Sequence, residues 1–188
     1  DLQSLAVALS ISFMYSVFIG LFPMNLQSII VSLDGQNHYY LMSLPMSKKT
    51  YLNEKVKFSF TIMGVLSALA ILGFSIFFRV KVYFMILAIV LNLLSIFVFC
   101  RFKVAGDYKH KYVNWSSISD IMNRQSKFAY VIKMMGLSFL TILIFSFVMF
   151  SIQSAPIKWI LIGILIPWAL IVIGIELYNQ IGFWRKIK

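Results

Sequence analysis

Several long stretches of this chain contain no charged residue and consist mostly of apolar side chains. An α-helix needs about twenty such residues to cross the hydrocarbon core of a bilayer. No stretch alternates apolar and polar residues with a period of two, so helices are predicted rather than the strands of a membrane barrel. The pattern predicts five transmembrane helices, at about residues 4–24, 58–79, 82–100, 132–152 and 157–181.

The composition is typical of an integral membrane protein. Apolar residues make up 61% of the 188 positions and charged residues 12%, against roughly 45–50% and about 25% in soluble domains. So little polar surface excludes a soluble enzyme and a disordered tail, and the single cysteine excludes a disulfide scaffold. We therefore expect an all-α integral membrane protein, a polytopic helix bundle in which residues 1–188 form a single transmembrane domain.

The net charge of +11 indicates membrane topology rather than nucleic-acid binding, because the cations lie in the joints between the apolar stretches. The two long joints and the C-terminal tail contain 14 of the 17 lysines and arginines, whereas the short joints contain only Arg79, Lys81 and Lys158. Cytoplasmic loops carry the excess of positive charge in membrane proteins. The loops at about 30–57 and 101–131 and the C-terminus are therefore predicted to be cytoplasmic.

Five helices with a cytoplasmic C-terminus would place Asp1 on the outer side of the membrane. The sequence has no initiator methionine and no legible signal peptide. We therefore expect a further helix before Asp1, which makes six helices in the full protein with both ends in the cytoplasm.

The first long loop contains the signals of a short amphipathic helix. Asp34 can accept hydrogen bonds from backbone N–H groups at a helix start, and Pro45 disfavours the helical conformation of Leu44 and ends the helix. Ser47 can then cap the next helix. The pattern predicts a helix from Asp34 to Leu44 across the cytoplasmic mouth of the bundle. Its apolar face recurs at helical spacing, at Leu33, Asn37, Tyr40, Leu41 and Leu44.

This loop resembles the permeases of ABC-2 type exporters, in which an acidic-glycine pair, aromatic residues, a leucine-proline pair and a helix-starting lysine follow one another. The matching positions are Asp34-Gly35, Tyr39-Tyr40, Leu41 through Ser47, and Lys55. The second loop is also similar to that family, at Asp107-Tyr108-Lys109 and Asn114-Trp115. The helix spacing agrees over nearly the whole chain, except that the family's first helix is missing.

The resemblance implies that the first loop is a coupling helix, which docks on separate ABC ATP-binding subunits. A second permease subunit, identical or related, would complete the translocation pathway. ATP and Mg²⁺ would belong to the ATP-binding subunits, so this chain would hold no cofactor and catalyse no reaction; its sequence contains no P-loop. The residues to which the resemblance assigns the coupling role are Asp34, Gly35, Tyr39, Tyr40, Leu41, Leu44 and Pro45.

The composition, rich in lysine, asparagine, isoleucine and phenylalanine, is typical of an AT-rich Gram-positive source. In this respect the chain is similar to the exporters of phenol-soluble modulins in staphylococci. The resemblance implies a multi-pass protein of the bacterial cytoplasmic membrane. Its cargo would be an amphipathic peptide or a lipid-like molecule.

The first apolar stretch contains small residues at a strict spacing of four. Such a stripe lets two helices approach closely in lipid. It packs either against another helix of this chain, which we favour, or against a second permease subunit. The stripe consists of Ser4, Ala8, Ser12, Ser16 and Gly20.

Glu176 is the only carboxylate inside a predicted span and leaves an alternative function open. A polar contact near the cytoplasmic interface is favoured, but a proton relay would make the chain a proton-coupled secondary transporter. A membrane scaffold or sensor is the remaining alternative. His38 and His110 stand alone in separate loops, so no metal site is expected.

Overall fold

The computed structural model of the chain describes residues 2–21, 26–117, 120–121, 132, 135–136, 139 and 157–187, and these contain helices and no strand. Short 3-10 turns occupy Leu26–Ser28 and Ser32–Asp34. The α-helices are α1 (Leu2–Leu21), α2 (Asn37–Ser43), α3 (Lys48–Phe77), α4 (Val82–Lys109) and α5 (Ile157–Asn179), and α5 continues as a π-helix over Gln180–Trp184.

Three of the described helices are long and apolar enough to cross a membrane: Lys48–Phe77, Val82–Lys109 and Gly163–Trp184. The first helix is also apolar, although its stretch Ser4–Gly20 is shorter than these three. The helical class of the fold is thereby confirmed. The helix predicted at 132–152 lies largely outside the described residues, so the count of five stays a prediction.

Two of the helices extend beyond their charge-free stretches into the predicted loops. The helix α3 begins at Lys48, directly after the predicted cap at Ser47, and the helix predicted to end near residue 100 continues to Lys109. These extensions are amphipathic: Leu52 and Val104 are fully buried in one apolar cluster, whereas Lys48, Lys49 and Lys109 are exposed. A charged residue therefore bounds each apolar stretch, but the helix continues beyond it.

The helices α1, α4 and α5 run parallel to one another, and α3 runs antiparallel to them. The turn between α3 and α4 closes at Arg79, whose φ of 51° is left-handed. Side chains far apart in sequence fix this arrangement, since the Ser12 hydroxyl donates to the Ala88 carbonyl at 2.8 Å. The rings of Phe13 and Trp168 lie 5.9 Å apart between α1 and α5.

One end of the bundle collects most of the described cations and is called here the basic end. It comprises the start of α3, the last turns of α4, and the segment that follows α5. Lys49, Arg101 and Arg185 line a common cavity there, and the Lys109 ammonium lies 5.2 Å from the centre of the Phe183 ring.

A buried asparagine joins three helices in the middle of the bundle. Asn92 of α4 accepts a hydrogen bond from the Ser16 hydroxyl of α1 at 2.7 Å and donates to the Ser67 hydroxyl of α3 at 2.9 Å. Each of the three side chains is fully buried. In an apolar interior an unpaired polar group is costly, so these bonds specify which helix faces meet.

The small residues of α1 pack within the chain. Ser12 and Ser16 are fully buried against α4, and a Cβ added to Gly20 would lie 2.5 Å from the Phe99 ring. Ser12, Ser16 and Gly20 therefore contact α4 within this chain, and the alternative of a seam with a second permease subunit stays a prediction.

The contact between Gly20 and Phe99 gives a test of this packing. Gly20→Ala should lower the free energy of unfolding by about 1–3 kcal/mol, because the added methyl group overlaps a buried ring. Gly73→Ala is the matched control, since a Cβ there meets no atom within 4 Å. The control should be neutral or stabilising by up to about 1 kcal/mol. Unfolding of both variants by SDS in mixed micelles, followed by circular dichroism, makes the comparison; equal stabilities would contradict the close approach of α1 and α4.

Candidate functional site

Residues 26–47, which precede α3, fold across the basic end rather than projecting from it. Ile30 and Val31 are buried there among Leu52 of α3 and Val104 of α4. Gln27, also fully buried, donates from Nε2 to the Cys100 Sγ at 3.1 Å. The segment is therefore an integral part of the packed end of the bundle.

A buried carboxylate near the end of α4 anchors this segment. Oδ2 of Asp107 accepts hydrogen bonds from the backbone N–H groups of Val31 and Ser32, at 2.8 and 2.9 Å. Oδ1 accepts from the Ser32 hydroxyl at 2.6 Å. Only 3% of Asp107 is exposed. Hydrogen bonds to an ionised acceptor are stronger than neutral ones, so this carboxylate ties the 3-10 turn Ser32–Asp34 to α4.

The chain beyond α4 closes the same turn from its other side. The Trp115 indole N–H donates to the Ser32 carbonyl at 2.7 Å. The Trp115 ring also covers Gly35, where an added Cβ would lie 3.2 Å from the indole. Gly35 has a φ of 54°, a left-handed conformation that favours glycine. Both the backbone conformation and the covering ring therefore require glycine at this position.

Asp34 does not start the short helix, contrary to the prediction. Gly35 reverses the chain after Asp34, and α2 begins only at Asn37. The Asp34 carboxylate instead pairs with the Lys55 ammonium at 2.5 Å and accepts a hydrogen bond from the Tyr51 hydroxyl. Asp34 thus connects the loop to α3, as Asp107 connects it to α4.

His38 extends this polar group beneath α2. It is fully buried, with Nδ1 3.4 Å from the Tyr51 hydroxyl and Nε2 2.8 Å from the Lys111 ammonium. Because an ammonium can only donate, Nε2 is the acceptor and Nδ1 carries the proton. Burial lowers the pKa of His38 below 6.5; the charges of Lys111 and Lys55 lower it further, and Asp34 opposes them. This role of His38 was not predicted from the sequence, although His38 lies three residues before Leu41 on one face of α2.

The helix α2 presents a different face than the one predicted. Leu41 and Met42 pack on the apolar cluster of the basic end. Tyr39 and Tyr40 point away from it, with 62% and 68% of their surfaces exposed. The prediction that Tyr40 shares the inward face is wrong, because the helix begins three residues later than expected and His38 takes the buried position.

The end of α2 agrees with the local signals in the sequence. Leu44, half-buried, has the extended conformation (φ −68°, ψ 151°) that a following proline favours. Pro45 itself is exposed. Ser47 caps α3, since its hydroxyl accepts a hydrogen bond from the Thr50 N–H at 3.1 Å. A two-residue link, Pro45 and Met46, therefore connects α2 to the cap of α3.

Glu176 makes its polar contacts inside the bundle at the basic end. Its Oε1 pairs with the Arg101 guanidinium and accepts a hydrogen bond from Gln180 Nε2 at 2.7 Å. The Arg101 guanidinium also lies 4.9 Å from the centre of the Trp184 ring. The charged partner of Glu176 is thus Arg101 of α4.

No protein-family model, no curated protein and no solved structure matches this chain. What the protein does is therefore inferred from its own residues and their geometry. Two of the described carboxylates position α2: Asp107 holds the turn before it against α4, and Asp34 holds that turn against α3.

Removing the Asp107 carboxylate tests whether it anchors the loop. Asp107→Ala leaves the N–H groups of Val31 and Ser32 without an acceptor, at a cost of roughly 1–3 kcal/mol. Hydrogen–deuterium exchange in residues 26–36 should become about tenfold to a hundredfold faster, as read by mass spectrometry. Asp120→Ala is the control, since that carboxylate accepts from Ser116 and Ser117 in its own turn. Unchanged exchange in Asp107→Ala would contradict the anchoring role.

The buried histidine predicts a dependence of stability on pH. Because the pKa of His38 is lowered, the folded chain binds fewer protons than the unfolded chain below pH 6.5. The stability contributed by neutral His38 is present above pH 6.5 and is lost as the pH falls below it. The melting temperature should therefore fall between about pH 7.5 and about pH 5.5, and fall less in His38→Gln. Exposed His110, changed to glutamine, should keep the full decrease. If His38→Gln lost as much stability as the wild type, the histidine would not be its source.

Proposed function

We propose that this chain is the membrane-spanning subunit of an ATP-driven exporter in the bacterial cytoplasmic membrane, with its basic end in the cytoplasm. A second permease subunit would complete the pathway, and separate ABC ATP-binding subunits would dock on α2. ATP and Mg²⁺ would be bound by those subunits. The observation that carries the proposal is a short helix held rigidly across the ends of two long apolar helices, with its outer aromatic face uncovered.

The anchoring of α2 suits a part that transmits motion. Asp34 ties the loop to α3 through Lys55, and Asp107 ties it to α4 through Ser32. The link between α2 and α3 contains Pro45 and Met46 and is too short to let the two helices move independently. A force applied to α2 therefore moves the two long helices, whereas a flexible loop would absorb it.

The uncovered face of α2 has the chemistry of a docking surface. Tyr39 and Tyr40 are neighbours, and tyrosine is enriched among the residues that dominate binding energy in protein interfaces. The resemblance to ABC-2 permeases rests on the same residues, and it implies that they contact the ATP-binding subunits. The cargo that fits this class of exporter and these apolar helices is an amphipathic peptide or a lipid-like molecule.

The contacts of Glu176 do not favour a proton-coupled transporter. A proton carrier needs a carboxylate that is alternately free on each side of the membrane. Glu176 is held by Arg101 and Gln180 at the basic end. An exporter driven by ATP requires no such group in this chain, because the ATP-binding subunits supply the energy.

Truncating an exposed tyrosine tests the docking role without disturbing the fold. Tyr40→Ala should reduce copurification of a P-loop ATPase with the tagged chain about tenfold, as expected for a central interface aromatic. ATP-driven transport should fall in parallel. The matched control is Tyr83→Ala at the opposite end of the bundle, where 54% of the tyrosine is exposed.

Quantitative mass spectrometry of the purified complexes gives the readout. Recovery of the ATPase with the Tyr83→Ala chain should equal that of the wild type. If no P-loop ATPase accompanied the wild-type chain, or if Tyr40→Ala retained full recovery and transport, the exporter proposal or its docking site would be overturned.

A further inference from the structure

The basic end contains a cavity of about 680 Å³ between the start of α3, the middle turns of α4 and the segment after α5. Its volume lies within the range of small-molecule sites, about 300–1,000 Å³. Apolar and cationic side chains share the wall. Its lining includes Lys49, Lys57, Phe97, Arg101, Trp184 and Arg185.

Cations outnumber acids in the described wall of this cavity, which contains four basic side chains and one carboxylate, Glu54. Lys57 pairs with Glu54 at 2.6 Å, and Arg101 pairs with Glu176. Within the described part of the chain, Lys49 and Arg185 pair with no carboxylate. Both side chains are exposed, so their charges are available to bind an anion at the mouth of the cavity.

A buried hydrogen-bond donor in the wall also lacks an acceptor. Only 4% of Trp184 is exposed, yet its indole Nε1 has no hydrogen-bond partner in the described structure. A buried N–H without an acceptor is costly, and tryptophan indoles normally find one. An anionic group rich in oxygen could accept a hydrogen bond from this donor and also pair with the two cations.

The cavity lies at the level where the apolar stretches end. Lys57 precedes the charge-free part of α3, Arg101 follows that of α4, and Trp184 and Arg185 follow that of α5. Tryptophan and basic residues at such positions mark the boundary between hydrocarbon and headgroups. Phe97, on the apolar side of Arg101, is 40% exposed and can contact an acyl chain.

We propose that this cavity binds the phosphate headgroup of an anionic phospholipid, with its acyl chains along the apolar surface near Phe97. Basic pockets between transmembrane helices bind such headgroups. The phosphate would lie between Lys49 and Arg185, and a rotation of the Trp184 ring would bring its N–H, which is buried in this structure, to a phosphate oxygen. The site goes beyond the exporter function and does not depend on it, since it requires no ATP-binding subunit and no cargo.

Native mass spectrometry of the purified full chain in detergent tests the proposal by titration. The probes are phosphatidylglycerol, phosphatidylcholine with the same acyl chains, and soluble glycerol 3-phosphate. Phosphatidylglycerol should bind saturably and about tenfold more tightly than the zwitterionic lipid, as expected for charge-assisted hydrogen bonds. Glycerol 3-phosphate should bind more weakly still, because it has no acyl chain to contact the apolar wall.

Two variants and a control locate the site. Lys49→Gln combined with Arg185→Gln should abolish the preference for phosphatidylglycerol. Trp184→Phe, which keeps the ring and removes the N–H, should weaken binding about fivefold, the effect of one hydrogen bond. The control, Arg79→Gln with Lys81→Gln, removes two exposed cations at the opposite end and should bind like the wild type.

Three results would overturn the proposal. One is equal binding of phosphatidylglycerol and phosphatidylcholine by the wild type. Another is a preference that survives loss of Lys49 and Arg185, or that is lost equally in the control. The third is glycerol 3-phosphate binding as tightly as the lipid, which would assign the cavity to a soluble phosphate.

Discussion

The Asp107 carboxylate is buried near the end of α4, where its charge must be matched by hydrogen-bond donors. Ser32 and the Val31 backbone supply them, and by doing so they fix the turn that precedes α2. Once that turn is fixed, Asp34 reaches Lys55 and His38 is buried under α2. The position of the exposed tyrosines therefore follows from one desolvated charge.

Buried polar groups in the middle of the bundle also need hydrogen-bond partners, and there the groups are neutral. Asn92 bonds to Ser16 and Ser67, so the faces of α1, α3 and α4 are matched by hydrogen bonds as well as by shape. The close approach of Gly20 to Phe99 then fixes the separation of α1 and α4. Polar contacts specify the pairing of these helices, because hydrophobicity alone does not distinguish a neighbouring helix from lipid.

The scarcity of acids explains why the basic end stays basic. The chain has six acidic residues against seventeen lysines and arginines. Those that the structure describes are already engaged: Asp107 and Asp120 with backbone and hydroxyl donors, and Asp34, Glu54 and Glu176 with cations. Several cations that the structure describes, Lys49 and Arg185 among them, pair with no carboxylate and are open to the solvent or to an external anion. The proposed headgroup site lies where two of them meet an unpartnered indole.

The sequence by itself determined the helical membrane character, the end of α2 before Pro45 and the cap of α3 at Ser47. These features depend on composition or on residues a few positions apart, which act whatever the rest of the chain does. The tertiary structure alone decided the rest of the site. It removed Asp34 from the helix start, buried His38, and paired Glu176 with Arg101, 75 residues away. Such contacts depend on which helix faces meet, and the spacing of residues along the chain does not specify which faces these are.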